Sequence, residues 1–299
     1  MITSSTVDRL LEHVTAGGQL TGPELAELVA APDILSIGML ADVMRRRIHG
    51  TQITYLRVVA RACDQLDVDT MPAGAREIRI VGTPASLEAA TVAVEKARAT
   101  SGGRAVSGFS WGDVDRLAAA AGLPVSRALA LLHSAGLDAL VDVPLDTIGN
   151  ADHVVNGLMD AGFERLRFTI EKASASDRQA LIEQASALQK QYGSIHAINP
   201  LPTVLDAFRP TTGYDDVKAV AIARLAAPNI ATIQVDWLRY GPKLAQVALM
   251  FGADDLDAVS ASDDAPEGRR RAPLEEMRRN VETAGWSPTE RDGHFNVVA

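Results

Sequence analysis

The sequence predicts an α/β fold, a (β/α)8 barrel of the TIM type with a helical extension before it and a loop and helix after it. Three observations carry that expectation. From Gln52 onward short strand-like runs alternate with helical patterns, and eight such runs precede residue 260. Strands alternating with helices make a parallel sheet, and eight of them favour closure into a ring. A chain of 299 residues that is 47% hydrophobic can bury one large core, and barrels of about 250 residues are commonly single domains. The third observation is the stretch Asn229–Asp257, NIATIQVDWLRYGPKLAQVALMFGADDLD. Ile233–Trp237 alternates apolar and polar with the period of a strand. Gly241-Pro242 reads as a turn into a helix, along which Leu244, Val247, Ala248 and Phe251 share one face. Gly252 stops that helix, and Asp254, Asp255 and Asp257 then read as an acidic loop at the working face of a barrel.

Taken in order, residues 1–51 form a helical cap, 52–259 the barrel, and 260–299 a loop and helix packing on it. In the cap, Val7, Leu10, Leu11 and Val14 line one helical face, Thr21-Gly-Pro-Glu24 is a capping sequence, and a third helix from Leu35 ends in Arg45, Arg46, Arg47 and His49 before Gly50. Basic residues in a last turn suit the helix dipole, which explains the arginine run more simply than a phosphate site does. The strand candidates are Ile53–Val59, Glu77–Val81, Arg104–Gly108, Ala139–Val143, Arg165–Glu171, Ser194–Asn199, Ile230–Asp236 and a short Ala253–Ala258. Helical patterns cover Ser86–Ala99, Trp111–Ala121, Val125–Ala135, Ala151–Ala161, Ala175–Gln191, Tyr214–Leu225 and Pro242–Phe251, several closed by an Ala-Gly pair that reads as a stop. Between Cys63 and Glu77 there is little room for a helix. After a polar loop over Ser260–Arg271, a helix spans Leu274–Ala284, and Trp286–Asp292 reads as a closing turn.

Composition narrows the function. A net charge of −9 argues against a nucleic-acid partner. A single cysteine, Cys63, excludes an internal disulfide, and no HExxH, GxSxG, P-loop or Rossmann glycine pattern occurs. No metal ligands are assigned. No apolar run approaches about 18 residues, and the N-terminus lacks the apolar core of a signal peptide, so a cytoplasmic protein without a membrane span is expected.

In a barrel alternate strand residues face the lumen, and in an ordinary barrel these are Val, Ile and Leu. Here the alternation leaves polar residues over: Arg165, Arg167, Thr169 and Glu171 on one strand, Gln234 and Asp236 on another, Tyr55 and Arg57 on a third, with Arg79 and Asp142 each between apolar neighbours. Since helix-facing positions should be apolar, this set is expected to point inward. Buried charge needs partners, so the lumen holds either ion pairs such as Arg167 with Asp236, or a polar cavity for an anionic or hydroxyl-rich small molecule. Asp236, near a strand's C-terminal end, is the candidate base, with Glu171 as a second catalytic carboxylate. Arg57, Arg79, Asp142, Arg167, Asn199, Gln234, Asp254 and Asp255 are candidate ligand contacts. His196 and Asn199 have opposite parity, so at most one faces inward.

Three stretches carry a resemblance: LADVMRRRIHGTQITYL (Leu40–Leu56), the Ile230–Asp257 run with IQVDW and GADDLD, and AGWSPTERD (Ala284–Asp292), with Ala207–Leu225 fitting between them. They resemble the radical-SAM enzymes of the futalosine route to menaquinone, the aminofutalosine synthase and the dehypoxanthine futalosine cyclase, and their deazaflavin-synthase relatives. The resemblance implies the barrel and a lumen that binds a nucleoside-like substrate. It also implies a CxxxCxxC loop holding a 4Fe–4S cluster with SAM, because three thiolates anchor such a cluster. Here that place reads VVARACDQLDVDTMPAGAR, with Cys63 alone. The expectation is therefore a degenerate member without cluster or SAM. It would be a non-radical enzyme, of lyase or hydrolase type, or a binding protein for a small metabolite. The alternative is an inactive partner that stabilises an active radical-SAM relative; a homodimer is also compatible.

Overall fold

The computed structural model describes residues 4–66, 71–204, 208, 211–265, 267–268 and 270–298. Three helices come first, α1 (Ser4–Thr15), α2 (Gly22–Ala30) and α3 (Ile34–His49). The alternating part follows as β1 (Gln52–Ala62), β2 (Glu77–Val81), α4 (Leu87–Thr100), β3 (Ala105–Ser110), α5 (Trp111–Ala120), α6 (Val125–Ala135), β4 (Ala139–Asp142), α7 (Ala151–Asp160), β5 (Leu166–Ile170), α8 (Arg178–Tyr192), β6 (Ile195–Pro202), α9 (Gly213–Ala226), β7 (Thr232–Asp236), α10 (Trp237–Met250) and β8 (Asp255–Ser260). The chain closes with α11 (Pro273–Thr283) and β9 (Ser287–Arg291).

Eight parallel strands run around a nearly closed ring in the order β4-β3-β2-β1-β8-β7-β6-β5. The seam lies between β4 and β5. There the ring is joined by backbone bonds from Leu145 N to Thr169 O (3.0 Å) and from Thr169 N to Val143 O (3.1 Å). Lower down, Arg167 spans the seam by donating to the Leu140 carbonyl at 3.5 Å. The fold is thus the expected (β/α)8 barrel. Outward faces are apolar where helices cover them: Ile78, Ile80, Phe168, Ile170, Ile233 and Val235 are all buried.

Helices stop where the sequence marks a stop. Gly136, for instance, takes a left-handed φ of 112° after α6, a conformation only glycine adopts without strain. Gly241 (φ 78°, ψ 163°) breaks α10 after one turn, so the helix proper begins at Pro242 as the sequence implies, with Trp237–Tyr240 as a separate turn capped by Asp236. Among the described residues no single helix is long and apolar enough to cross a membrane. No helix occurs between β1 and β2 among the described residues; Asp67–Thr70 of that crossover, and Ala207, Arg209 and Pro210 of the family-like segment, lie outside them.

Two expectations are corrected. Trp286–Asp292 is not a closing turn: Ser287–Arg291 is a strand that pairs with Gln52–Leu56 of β1, below the point where β2 pairs with Val58–Ala62 on the same edge. Pro288 cannot donate to a ladder, which hides the strand in sequence but is tolerated at an edge. Asp254, Asp255 and Asp257 do not form a loop at the working face. Asp255 opens β8 at the opposite, N-terminal end of the ring, next to Thr54 and Gln234. The arginine run has a packing role: Arg45 and Arg46 lie over the Trp286 ring at 3.7 and 3.8 Å, fixing α3 to the C-terminal segment, a cation–π geometry.

Candidate functional site

Strand parity builds the interior in three tiers. At the bottom, fully buried Asp255 receives Arg291 through two bonds of 2.6 and 2.8 Å, Thr54 Oγ1 at 2.6 Å and Gln234 Nε2 at 2.8 Å. In the middle, Arg79 donates to Glu77 Oε1 (2.9 and 2.7 Å) and to both oxygens of Asp257 (3.1 and 2.9 Å). Arg167 reaches Asp257 at 3.4 Å. Burial pushes the Asp257 carboxyl up, but the Arg79 and Arg167 guanidiniums outweigh it and hold it well below the usual carboxylate range. Three carboxylates (Glu77, Asp255, Asp257) therefore meet three guanidiniums (Arg79, Arg167, Arg291), and the lower lumen is filled with neutralised charge.

Above this plug, at the C-terminal ends of the strands, opens a cavity of about 840 Å³. Its walls include Val58, Phe109 and Val141, and its polar groups include Asp142, Asp236 and Arg239. Size and an apolar lining with a few convergent polar groups are the usual marks of a small-molecule site. A second mark is backbone strain. Phe109 (φ 55°) and Ala258 (φ 57°), both in the cavity wall, are two of the three non-glycine residues with positive φ among those described, and such residues gather at functional sites.

Asp236 ends β7 and caps the turn after it, accepting from Arg239 N at 2.8 Å. Burial raises its carboxyl above the ordinary value, and the negative charge of Asp257 beneath adds to the rise. A carboxyl held toward its neutral form beside a cavity is chemically suited to taking and returning a proton. Arg239 leans from the turn across the mouth to Asp142 at 3.4 and 3.5 Å, with its Nε 3.8 Å from Asp236.

The sequence-derived candidates divide accordingly. Arg79, Asp142 and Asp236 line the cavity. Arg167 and Gln234 face inward but lie in the plug. The others need correction. Arg57 points outward, with Tyr55: Arg57 donates to the Ala261 carbonyl and Asp263, while Tyr55 Oη receives Arg278 of α11. The outer face of β1 is covered by the polar C-terminal segment rather than an apolar helix, so the rule that the polar face looks inward fails there. Glu171 lies beyond the end of β5, a third exposed, 3.8 Å from Lys172. Arg165 is exposed below that strand and donates to Asn296.

Asn199 is buried against Tyr240 Oη (3.2 Å) and the backbone of Leu201, holding the turn rather than lining the cavity. Asp254 faces the helix layer, accepting from Arg224 (2.7 Å), His49 (2.5 Å) and Ile233 N (2.8 Å). The proposed Arg167–Asp236 pair is instead Arg167–Asp257. His196 packs on Phe295 at 4.2 Å, and burial, reinforced by Arg165 and Arg291, lowers its pKa to about 4. Sequence reasoning missed Arg239, Glu77 and Arg291; the signal for Arg239 was its position three residues after a strand-terminal aspartate.

A three-cysteine cluster site has no counterpart here. Cys63 is the chain's only thiol, half-buried just past β1 with its N–H on Val81 O. The described residues contain no group of three His, Cys, Asp or Glu side chains placed to hold a metal ion. One thiolate does not meet the donor set such a cluster needs.

The chain is similar to known proteins in part of its sequence and in its fold. Residues 201–298 match the family model "CofH/MqnC C-terminal region". The chain is 25% identical over 260 residues to the aminodeoxyfutalosine synthase of Thermus thermophilus, covering 84% of this chain and 58% of that protein. It is 36% identical over 124 residues to a 5-amino-6-(D-ribitylamino)uracil–L-tyrosine 4-hydroxyphenyl transferase of Archaeoglobus fulgidus, 37% of this chain and 36% of that one. The matched segments thus span between about a third and three-fifths of these relatives' lengths. The fold resembles that of HydG, a maturase of the FeFe-hydrogenase, with a TM-score of 0.67 at 14% identity over 96% of this chain and 76% of that one. Residues 201–298 thus belong to the CofH/MqnC C-terminal family, and the chain is similar to the aminodeoxyfutalosine synthase and the 4-hydroxyphenyl transferases.

Proposed function

We propose that this chain binds a nucleoside-like small metabolite in the cavity at the mouth of its barrel, without assembling an iron–sulfur cluster, and that any reaction there is non-radical, with Asp236 moving the proton. The observation that carries this is the position of the cavity: about 840 Å³ at the C-terminal strand ends, where barrel enzymes hold their substrates. Its strained wall and a carboxyl shifted upward by burial support it. The grip on an anion expected from Arg57, Arg79 and Arg167 finds no support, because each guanidinium is committed to protein oxygens. A hydroxyl-bearing ligand without negative charge suits the walls better.

A thermal-shift and protein-observed NMR screen against nucleosides and futalosine-route intermediates tests the reading, since a ligand of the native state raises apparent stability by mass action. Binding should perturb Phe109, Val141 and Asp236. It should be weakened at least several-fold by Val141→Trp, which fills the cavity, and Asp236→Asn should abolish turnover. Binding that ignores Val141→Trp refutes the site. Anaerobic reconstitution that yields cluster absorbance and SAM cleavage refutes the absence of a cluster.

A further inference from the structure

We propose that the ligand of the mouth cavity carries a cationic amino group, which Asp142 and Asp236 take up in place of the Arg239 guanidinium. The inference deepens the reading above and rests on it. Arg239 is a cation held between carboxylates from two strands three places apart in the ring, β4 and β7. Its contacts are loose: 3.4 and 3.5 Å to Asp142 and 3.8 Å to Asp236. Well-made charge-assisted bonds are about 2.7–2.9 Å, and the interior pairs of this protein reach that range, as in Arg291–Asp255 at 2.6 Å and Arg79–Glu77 at 2.7 Å. Arg167–Asp257 is as long, at 3.4 Å, but Asp257 is also held by Arg79 at 2.9 Å, whereas Asp142 and Asp236 share the Arg239 guanidinium through long contacts alone.

The neighbouring groups set the sign of the ligand's charge. Arg79, the cation beneath the cavity, already serves Glu77 and Asp257. Asp113, a third lining carboxylate, is occupied by Ser110 N and Oγ and by Arg116. Among the described residues, Arg239 is the ion-pair partner of both Asp142 and Asp236. That side chain is 31% exposed and stands on the single turn that Gly241 separates from the rest of α10, so moving it aside breaks no core packing. An amine entering between the two carboxylates gains two short bonds where the guanidinium makes long ones. The cavity's lining cations are Arg61, near the end of β1, Arg79 and Arg239; an anion entering between Asp142 and Asp236 meets two carboxylates.

Three probes with one apolar body and different charge test this: phenethylamine, phenethyl alcohol and 3-phenylpropionate, titrated near neutral pH and followed by protein-observed NMR on Phe109 and Val141. The amine is expected to bind about tenfold more tightly than either other probe, a difference of about 1.4 kcal/mol. Arg239→Ala should tighten the amine several-fold and leave the propionate unimproved; Asp142→Asn with Asp236→Asn should erase the preference. Equal binding of amine and alcohol, a preference for the propionate, or an Arg239→Ala protein that binds the amine no better would overturn the proposal while leaving the cavity reading intact. If adenosine and all three probes leave the cavity resonances unmoved, the cavity reading falls and the proposal with it.

Discussion

Arg79→Leu and Arg239→Ala remove the same kind of group from two depths of one barrel, and the structure assigns them very different costs. Arg79 is 6% exposed and donates five bonds, two to Glu77, two to Asp257 and a long one to Ser107, the two carboxylates being 1% and 5% exposed. Deleting it leaves Asp257 with Arg167 alone, at 3.4 Å, and Glu77 with Ser107. Breaking a buried pair from one side costs about 3–5 kcal/mol because an uncompensated charge stays behind. That is a large part of the 5–15 kcal/mol by which domains are typically stable. Arg239, partly exposed and loosely held, belongs with surface pairs worth about 0–1 kcal/mol. Urea unfolding of both variants, scored by midpoint and slope, measures the difference. Neutralising the stranded partners in a triple variant, Arg79→Leu with Glu77→Gln and Asp257→Asn, should recover a substantial part of the loss. An Arg79→Leu protein within about 1 kcal/mol of the parent, or an Arg239→Ala protein as damaged as Arg79→Leu, would refute the division into a structural plug and a free mouth.

Other outcomes follow from the same geometry. Arg291→Leu should cost about 3–5 kcal/mol, since Asp255 is fully buried and loses the guanidinium paired with it; circular dichroism melting of this variant reports whether β9 is integral to the ring. His196 is held neutral, its pKa lowered from 6.5 to about 4 by burial and the nearby Arg165 and Arg291. The unfolded chain then binds the extra proton first, so stability falls as pH drops from about 6.5 toward 4. His196→Phe should flatten that part of the stability–pH curve by up to about 2 kcal/mol, allowing for solvent screening; an unchanged slope would mean that His196 is not the group responsible. Gly38→Val places a Cβ 2.7 Å from the Phe251 ring, where α3 meets α10. Overpacking of that kind costs about 1–3 kcal/mol, and Phe251→Leu in the same protein should return part of it.

The sequence exposed the ring because period-2 strands and helical patterns alternate in it with little interruption. It exposed the polar lumen wherever an apolar helix covers the other strand face, as at Ile78-Arg79-Ile80 and Ile233-Gln234-Val235-Asp236. The same rule misplaced Arg57, since the outer face of β1 meets Arg278, Ala261 and Asp263. Nothing local to β1 announces that covering. Asp254 and Asp255 looked like a loop because they follow the helix stop at Gly252, yet β8 begins at Asp255 with almost no connection. Adjacent aspartates serve opposite faces there, one the lumen and one the helix layer. The strand at Ser287–Arg291 has one proline and no apolar alternation, so only its pairing with β1 defines it.

The division between plug and mouth bears on how this barrel could evolve a new ligand. Below the cavity Asp255 and Asp257 are compensated by guanidiniums from other strands, so a substitution there is felt across the ring and is selected against for stability. At the mouth the polar groups sit on strand ends and on the turn Trp237–Tyr240, where Gly241 uncouples them from the long helix. Changes at Asp142, Leu238 or Arg239 alter what the cavity offers without disturbing the pairs at Asp255 and Asp257. The interior carboxylates, though chemically the more conspicuous, are therefore the less plausible place for ligand chemistry. Asp236 stands between the two regimes: its cap on Arg239 N belongs to the scaffold, and its raised pKa, set by burial and by Asp257 below, transmits the charge of the plug to the site above it.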